Sequence, residues 1–210
     1  MNLTAKRPIV YLITSGSLTD QNFPESSVNV ITLVAAAAES GIQLIQIREK
    51  ALSTGRVIDL AVRAKAAAKE TDAQILINDR PDIAMAAGCD GVHLTSVSVS
   101  ANIQRQFVPA GFVIGVSAHS VDEVRSAAED GADFAVFGPV FETPGKPYAR
   151  GLAEFSRVVE SLRPFPVLAL GGIGESNAQT VIDAGAAGFA AIRSLSDVDR
   201  LRRIAAGFCL

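Results

Sequence analysis

Tryptophan is absent, and tyrosine, histidine and cysteine each occur only twice. The two thiols, Cys89 and Cys209, stand far apart with no CxxC or ligand spacing. That argues against a disulfide framework or a zinc site and suits a reducing cytoplasm. There is no basic block either. Lys and Arg number 19 against 22 Asp and Glu, for a formal net charge of −3. A nucleic acid or an anionic membrane surface is therefore not expected as the main partner, and any positive charge that matters must be local. Long hydrophobic runs are missing too. The opening "MNLTAKRPIVYLIT" is too short for a signal core or a membrane span, and "VNVITLVAAAAES" is interrupted by Asn29, Thr32 and Glu39.

What is present is a large apolar fraction, 49% of 210 residues, laid out in a regular rhythm. Short apolar runs ("IVYLI", "IQLIQI", "QILIN", "GVHL", "FVIGV", "DFAVF", "PVLAL", "GFAAI") alternate with longer stretches of helical period. Leu152, Phe155, Val158, Val159 and Leu162 fall on one helix face. "SVDE" at 120–123 and "SNAQ" at 176–179 read as capping boxes opening helices. Eight strands alternating with seven or eight helices, and no linker between them, predict a parallel sheet covered by helices.

Gly41, Gly88, Gly131 and Gly185 each close a helix-like segment just before a strand, as C′ glycines do. Their spacing is close to that of two βα units. Ordinary helix caps explain each glycine singly, but four such quarters make eight strands. The expectation is a single-domain (β/α)8 barrel over residues 1–210, with a doubly wound open sheet as the alternative. In either fold the chemistry belongs at the C-terminal ends of the strands.

The residues at those ends are polar and specific. The second strand finishes "QIREK", where a period of two sends Gln46, Arg48 and Lys50 to one face as a site for phosphate or pyrophosphate. Pairing of Arg48 with Glu49 is the plainer alternative. The third strand ends in Asn78, a donor to an oxyanion, and Asp79, a ligand for a divalent cation or simply an N-cap before "RPD". After the fifth strand come Ser117, a phosphate donor, and His119, of a residue type that exchanges protons near neutral pH. His93 lies inside an apolar strand and reads as a hydrogen-bonded core residue. Gly171 and Gly172 after the seventh strand, facing Arg193 and Ser194 after the eighth, offer a phosphate handle. "GADFAVFGPVFETPGK" carries Thr143 and Lys146 on the loop after the sixth strand, where they would form the lip of an anion site.

Taken in order, "QIREK", "IND", "DGVHL", "IGVSAHS", "GADFAVFGPVFET", the lysine three residues on, and "ALGGI" resemble the thiamine phosphate synthase and TenI superfamily. A synthase of that group joins hydroxymethylpyrimidine diphosphate to thiazole phosphate. The resemblance would give Gln46, Arg48, Lys50, Asn78 and Lys146 to the pyrophosphate and Asp79 to Mg²⁺. Ser117 and Thr143 would line the site, and Gly172 with the strand-eight amides would bind the thiazole phosphate.

Two departures favour the other branch, the TenI-like tautomerases, which aromatise a thiazole carboxylate phosphate without metal or other cofactor. Ser98 stands where the synthases usually carry a second metal-binding Asp, and Gly145 replaces a Thr. In a tautomerase His119 would move the proton. A non-catalytic thiazole phosphate-binding regulator is a third alternative. The resemblance further implies a small-molecule substrate, a cytoplasmic setting, and association of barrels through exposed faces into a homo-oligomer.

Overall fold

A computed structural model describes residues 7–146 and 148–209. The two ends of the expected 1–210 domain, with the first residues of the N-terminal stretch weighed as a leader, lie outside the described residues. Eight parallel strands form one closed barrel in chain order. They are β1 (Ile9–Ile13), β2 (Leu44–Ile47), β3 (Gln74–Asn78), β4 (Gly91–Leu94), β5 (Val113–Ala118), β6 (Phe134–Phe137), β7 (Val167–Leu170) and β8 (Gly188–Ala191). The helices between them are α1 (Phe23–Glu39), α2 (Thr54–Ala67), α3 (Pro81–Ala86), α4 (Ala101–Gln104), α5 (Val121–Glu129), α6 (Leu152–Ser161), α7 (Ala178–Asp183) and α8 (Val198–Phe208). Closure occurs where β1 pairs with β8, Tyr11 opposite Ala190. The fold is the (β/α)8 barrel that the alternation predicts, and the open sheet is excluded.

The strands read as continuous apolar runs because both of their faces are buried. One face packs against the helices, through residues such as Val10, Leu12, Ile45 and Ile47. The other fills the barrel interior with Ile9, Tyr11, Leu44, Leu76, Phe134, Val136 and Leu168. Each large side chain removed from water in this way contributes about 1.5–3 kcal/mol. Interior space is tight at one place in particular. A Cβ on Gly115 would run into the Phe134 ring and lie 2.9 Å from His93 Nδ1, so only glycine lets those two rings share the axis.

The internal repeat is real at the level of backbone and side chain. Gly41, Gly88, Gly131 and Gly185 follow α1, α3, α5 and α7, all with φ between 65° and 95°, the left-handed region where a side chain is strained. Two residues beyond the first three of them, a side chain turns back to cap the preceding strand. Gln43 accepts from the Val10 amide at 2.9 Å, Asp90 from Ile75 at 2.7 Å, and Asp133 from Ile114 at 2.7 Å. The fourth quarter has Ala187 there, which has no side chain to cap β7, but its carbonyl takes the first amide of the next strand, Ile9, as those of Gln43 and Asp90 take Gln74 and Val113.

Only one of the two capping boxes forms. Ser120 accepts from the Glu123 amide at 3.2 Å, although the Glu123 carboxylate reaches the His119 amide at 2.5 Å rather than that of Ser120. Ser176 caps nothing. Asn177 precedes α7 and spends its amide on the loop before it, accepting from Gly174 N at 2.8 Å and donating to Gly172 O at 3.0 Å. α6 buries Phe155, Val158 and Val159 as its period requires.

Candidate active site

At the C-terminal mouth of the barrel lie two recesses of similar size, besides a smaller one of about 190 Å³ at the ends of β4 and β5 that Ser98 and Ser117 line. The larger, about 390 Å³, is bounded by the ends of β5, β6, β7 and β8. It gathers His119, Thr143, Lys146, Gly171, Gly172, Arg193 and Ser194 into one wall, along with Arg200 from α8. The loop after β7 owes its shape to its glycines. Gly172 has φ +64°, and a Cβ there would stand 2.6 Å from Glu142 O and 2.8 Å from Phe141 Cβ. The loop after β6 therefore packs directly on this backbone. Ser194 Oγ donates to Ile173 O at 2.7 Å and ties the loops after β7 and β8 together.

The amides of Gly172, Ile173, Arg193 and Ser194 find no acceptor among the described residues. Unpaired N–H groups converging on a cavity form an anion site. Lys146, Arg193 and Arg200 add positive charge, and none of the three enters an ion pair among the described residues.

His119 stands at the rim of this cavity, and its Nδ1 lies 2.6 Å from Gly138 O. A carbonyl only accepts, so Nδ1 carries the proton in the neutral ring and Nε2 is left as the free base. Thr143 Oγ1 donates to Phe141 O at 3.0 Å, a bond that shapes the lip rather than reaching across it.

The second recess, about 300 Å³, lies between the ends of β2, β3 and β4 and is lined by Lys50, Thr54, Asn78, Asp79, Arg80 and Thr95 among others. Asp79 has φ +57° and is the one non-glycine residue with positive φ among the described residues. Backbone held in so sparsely populated a region commonly marks a functional loop. The Asp79 carboxylate accepts a short hydrogen bond from Ser98 Oγ. Arg80 is engaged with Asp82, its Nη2 2.6 Å from Oδ2.

The "QIREK" residues divide. Lys50 is exposed at the recess. Gln46 is 1% exposed, donates to Asn78 Oδ1 at 3.0 Å, and lies beneath the mouth rather than in it. Arg48 is half-buried with its guanidinium turned toward Gly16. Its pairing with Glu49 does not form, because the buried Glu49 carboxylate accepts from the amides of Gly16 and Leu18 at 3.1 and 2.8 Å. Glu49 thus pins the loop after β1, a role its place in the motif did not reveal.

Lys146 lines the larger cavity and not the recess that holds Lys50 and Asp79. Arg200 escaped the sequence reading because it comes from a helix, where strand period gives no signal. His93 is 3% exposed and hydrogen-bonded on both ring nitrogens, as a core histidine should be. Burial, with the Arg48 charge in addition, pushes it down to about 3. Among the described residues no group of three or more His, Cys, Asp or Glu could hold a metal ion, and no helix is long and apolar enough to cross a membrane.

Comparison with known proteins gives this geometry a lineage. Residues 10–195 match the family described as thiamine monophosphate synthase. A putative thiamine-phosphate synthase of Geobacter sulfurreducens is 38% identical over 170 residues, 80% of this chain and 79% of that protein. The thiamine-phosphate synthase of Haloarcula marismortui is 34% identical over 196 residues, 90% of each. Among solved structures, thiamine phosphate pyrophosphorylase from Pyrococcus furiosus superposes with a TM-score of 0.79 at 29% identity, covering 95% of this chain and 96% of that one. With one family match spanning nearly the whole barrel and relatives covering 80–90% of the sequence, the chain belongs to the thiamine monophosphate synthase and TenI family of enzymes.

Proposed function

We propose that this enzyme is a thiamine phosphate synthase, joining hydroxymethylpyrimidine diphosphate to thiazole phosphate with release of pyrophosphate. The observation that carries the proposal is that one barrel mouth holds two separate recesses lined by cations, that of Lys146, Arg193 and Arg200 and that of Lys50 and Arg80. A tautomerase rearranges one monophosphate and needs one anion pocket, whereas a condensation must seat two phosphorylated substrates side by side. The names of the relatives at 31–38% identity support the same reading. This reverses the ranking drawn from Ser98 and Gly145 alone, in which the tautomerase came first.

The geometry supports a division of labour between the two recesses. Thiazole phosphate enters the larger cavity, its phosphate on the free amides of Gly172, Ile173, Arg193 and Ser194 with Lys146 and Arg193 supplying charge. The pyrimidine diphosphate occupies the recess of Lys50, Asn78 and Asp79, with Ser117 and Arg48 toward the axis. The lone pair of the thiazole nitrogen forms the new C–N bond to the pyrimidine methylene as its C–O bond breaks, and the electron pair leaves on the diphosphate. Donors fixed around that growing charge stabilise the transition state more than the ground state.

Mg²⁺ takes oxygen ligands and is commonly held by one or two carboxylates plus substrate phosphates. Asp79, with the Ser98 hydroxyl beside it, fits the lower end of that range. The ion would supply neutralisation of the diphosphate charge.

His119 supports a second reading. Its free Nε2 at the thiazole cavity suits it to shift a proton on a thiazole ring, so a tautomerase activity is worth assaying on the same protein. The deciding experiment offers purified protein both substrates with Mg²⁺ and, separately, the thiazole tautomer. Formation of thiamine phosphate supports the proposal. Aromatisation of the tautomer with no thiamine phosphate formed would overturn it.

A further inference from the structure

"QIREK" places an acid between two cations at a recess read as an anion site, where an open negative charge would repel the ligand. Glu49 is not open. It is 4% exposed, and its two oxygens accept from the amides of Gly16 and Leu18 at 3.1 and 2.8 Å. Neither Arg48 nor Lys50 pairs with it among the described residues. A buried carboxylate without a cation is tolerated only through such charge-assisted bonds. Glu49 thus commits its charge to the loop after β1 and leaves both cations unpaired.

That loop is fastened at its two ends by other bonds. Thr14 Oγ1 accepts from the Arg48 amide at 2.8 Å. At the far end Thr19 bridges to Ala51, and the Asp20 carboxylate accepts from Ser53 N and Oγ at 2.9 and 3.1 Å. Glu49 therefore fixes only the crest between them, Gly16 to Leu18.

The crest is where Arg48 lies. Gly16 has φ +78°, and a Cβ on it would stand 3.1 Å from Arg48 O and 3.3 Å from Arg48 Nη1. Bare backbone at this position leaves the half-buried guanidinium its place along the loop. The charge is felt at the barrel axis, where it adds to the effect of burial in keeping His93 neutral. Yet the guanidinium enters no ion pair and finds no acceptor among the described residues. A planar fork of donors held in place with nothing to bind is suited to an anion.

We propose that Glu49 and Gly16 are positioning residues that hold the Arg48 guanidinium at the mouth for the diphosphate. Glu49 pins the crest, the crest presents Gly16, and Gly16 leaves the guanidinium the position from which it meets the anion. Neither residue is itself a ligand. The loop after β1 thereby becomes part of the diphosphate site. The inference rests on the reading of Arg48 as a ligand of that group, and its test needs no turnover.

The probe is inorganic pyrophosphate with Mg²⁺, titrated by calorimetry. Arg48→Gln should weaken its binding about tenfold or more, the scale of a hydrogen bond to a charged group. Gly16→Ala strains a left-handed position and crowds the guanidinium, the neighbour free to yield. It should weaken pyrophosphate binding about as much, and a crystal structure of the variant should show the guanidinium displaced. In an Arg48→Gln background Gly16→Ala should bring no further loss, since residues acting as one unit are not additive. Glu49→Gln keeps an acceptor for one amide and sets an N–H₂ group against the other, and should give a smaller loss of the same kind.

A merely structural role predicts a lower Tm for Gly16→Ala and Glu49→Gln with pyrophosphate affinity unchanged. That outcome, or additive losses in the double variant, would overturn the proposal. Should Gly16→Ala fail to fold, Glu49→Gln and its double variant with Arg48→Gln decide in the same way. Pyrophosphate that does not bind, or that binds Arg48→Gln as tightly as the wild type, would overturn it as well, because the seat would then serve no ligand. Absence of thiamine phosphate formation by the wild type would instead sink the synthase reading, and the calorimetry would still judge the seat.

Discussion

Ser98 Oγ donates to the carboxylate of Asp79 across the gap between the loops after β4 and β3. A hydroxyl thus faces one of the two carboxylates that line the recess where the family would place Mg²⁺, the other, Glu49, being taken up by the amides of Gly16 and Leu18, and a serine contributes no charge to a hard cation. Ser98→Asp should strengthen coupled binding of Mg²⁺ and pyrophosphate, read by calorimetry, by about tenfold or more. Should the variant bind no better than the wild type, the ion is not held at Asp79.

The phosphate end depends on backbone that only glycine can form. Gly172→Ala places a Cβ against Glu142 O and Phe141 Cβ in a left-handed conformation, where strain is of order 1–3 kcal/mol. The loop must shift to relieve it, which moves the free amides. KM for thiazole phosphate should rise at least tenfold while pyrophosphate binding at the other recess stays nearly unchanged. An equal loss at both would mean that the two recesses are not separate sites.

His119 separates the two chemistries. Condensation by displacement requires no proton transfer at the thiazole ring, but tautomerisation does. His119→Asn keeps a donor near the Gly138 carbonyl and removes the base. Any tautomerase turnover should fall by ~10²–10⁴-fold, whereas thiamine phosphate formation should change by no more than a few-fold. A large fall in condensation would give His119 a role in that reaction too.

Acid stability should report on His93. Its folded pKa of about 3 lies below the value near 6.5 usual for an unfolded chain. Between those values the unfolded state takes up a proton that the folded state refuses, so stability is full above about pH 6.5 and falls as pH drops through the window. The slope approaches ~1.4 kcal/mol per pH unit in its interior. Urea unfolding at pH 7 and pH 4.5 should show this loss, and His93→Gln should shrink it. An unchanged difference in the variant would place the acid sensitivity elsewhere.

The parallel βα alternation was legible in the sequence, and the barrel was its favoured form over an open sheet. Short apolar runs with helical spacing between them require strands buried on both faces and helices on one, and a glycine after every second helix marks four quarters of two strands each. The sequence also named most of the mouth, because a period of two identifies which residues leave a strand end together. Gly171, Gly172, Arg193, Ser194, Thr143 and His119 do meet around one cavity.

Which neighbours those residues have depends on the assembled barrel. Register sets Gln46 beside Leu76 and His93 beside Gly115, and closure brings β1 to β8. From these follow the burial of Gln46, the hydrogen bonds of His93 to Tyr11 and Ser117, and the separation of Lys146 from Lys50. Arg200 arrives from a helix, and Asn177 rather than Ser176 shapes the glycine loop. Local pattern specifies the direction of a side chain from its own strand. Its partners are supplied by distant segments that touch only when the barrel closes.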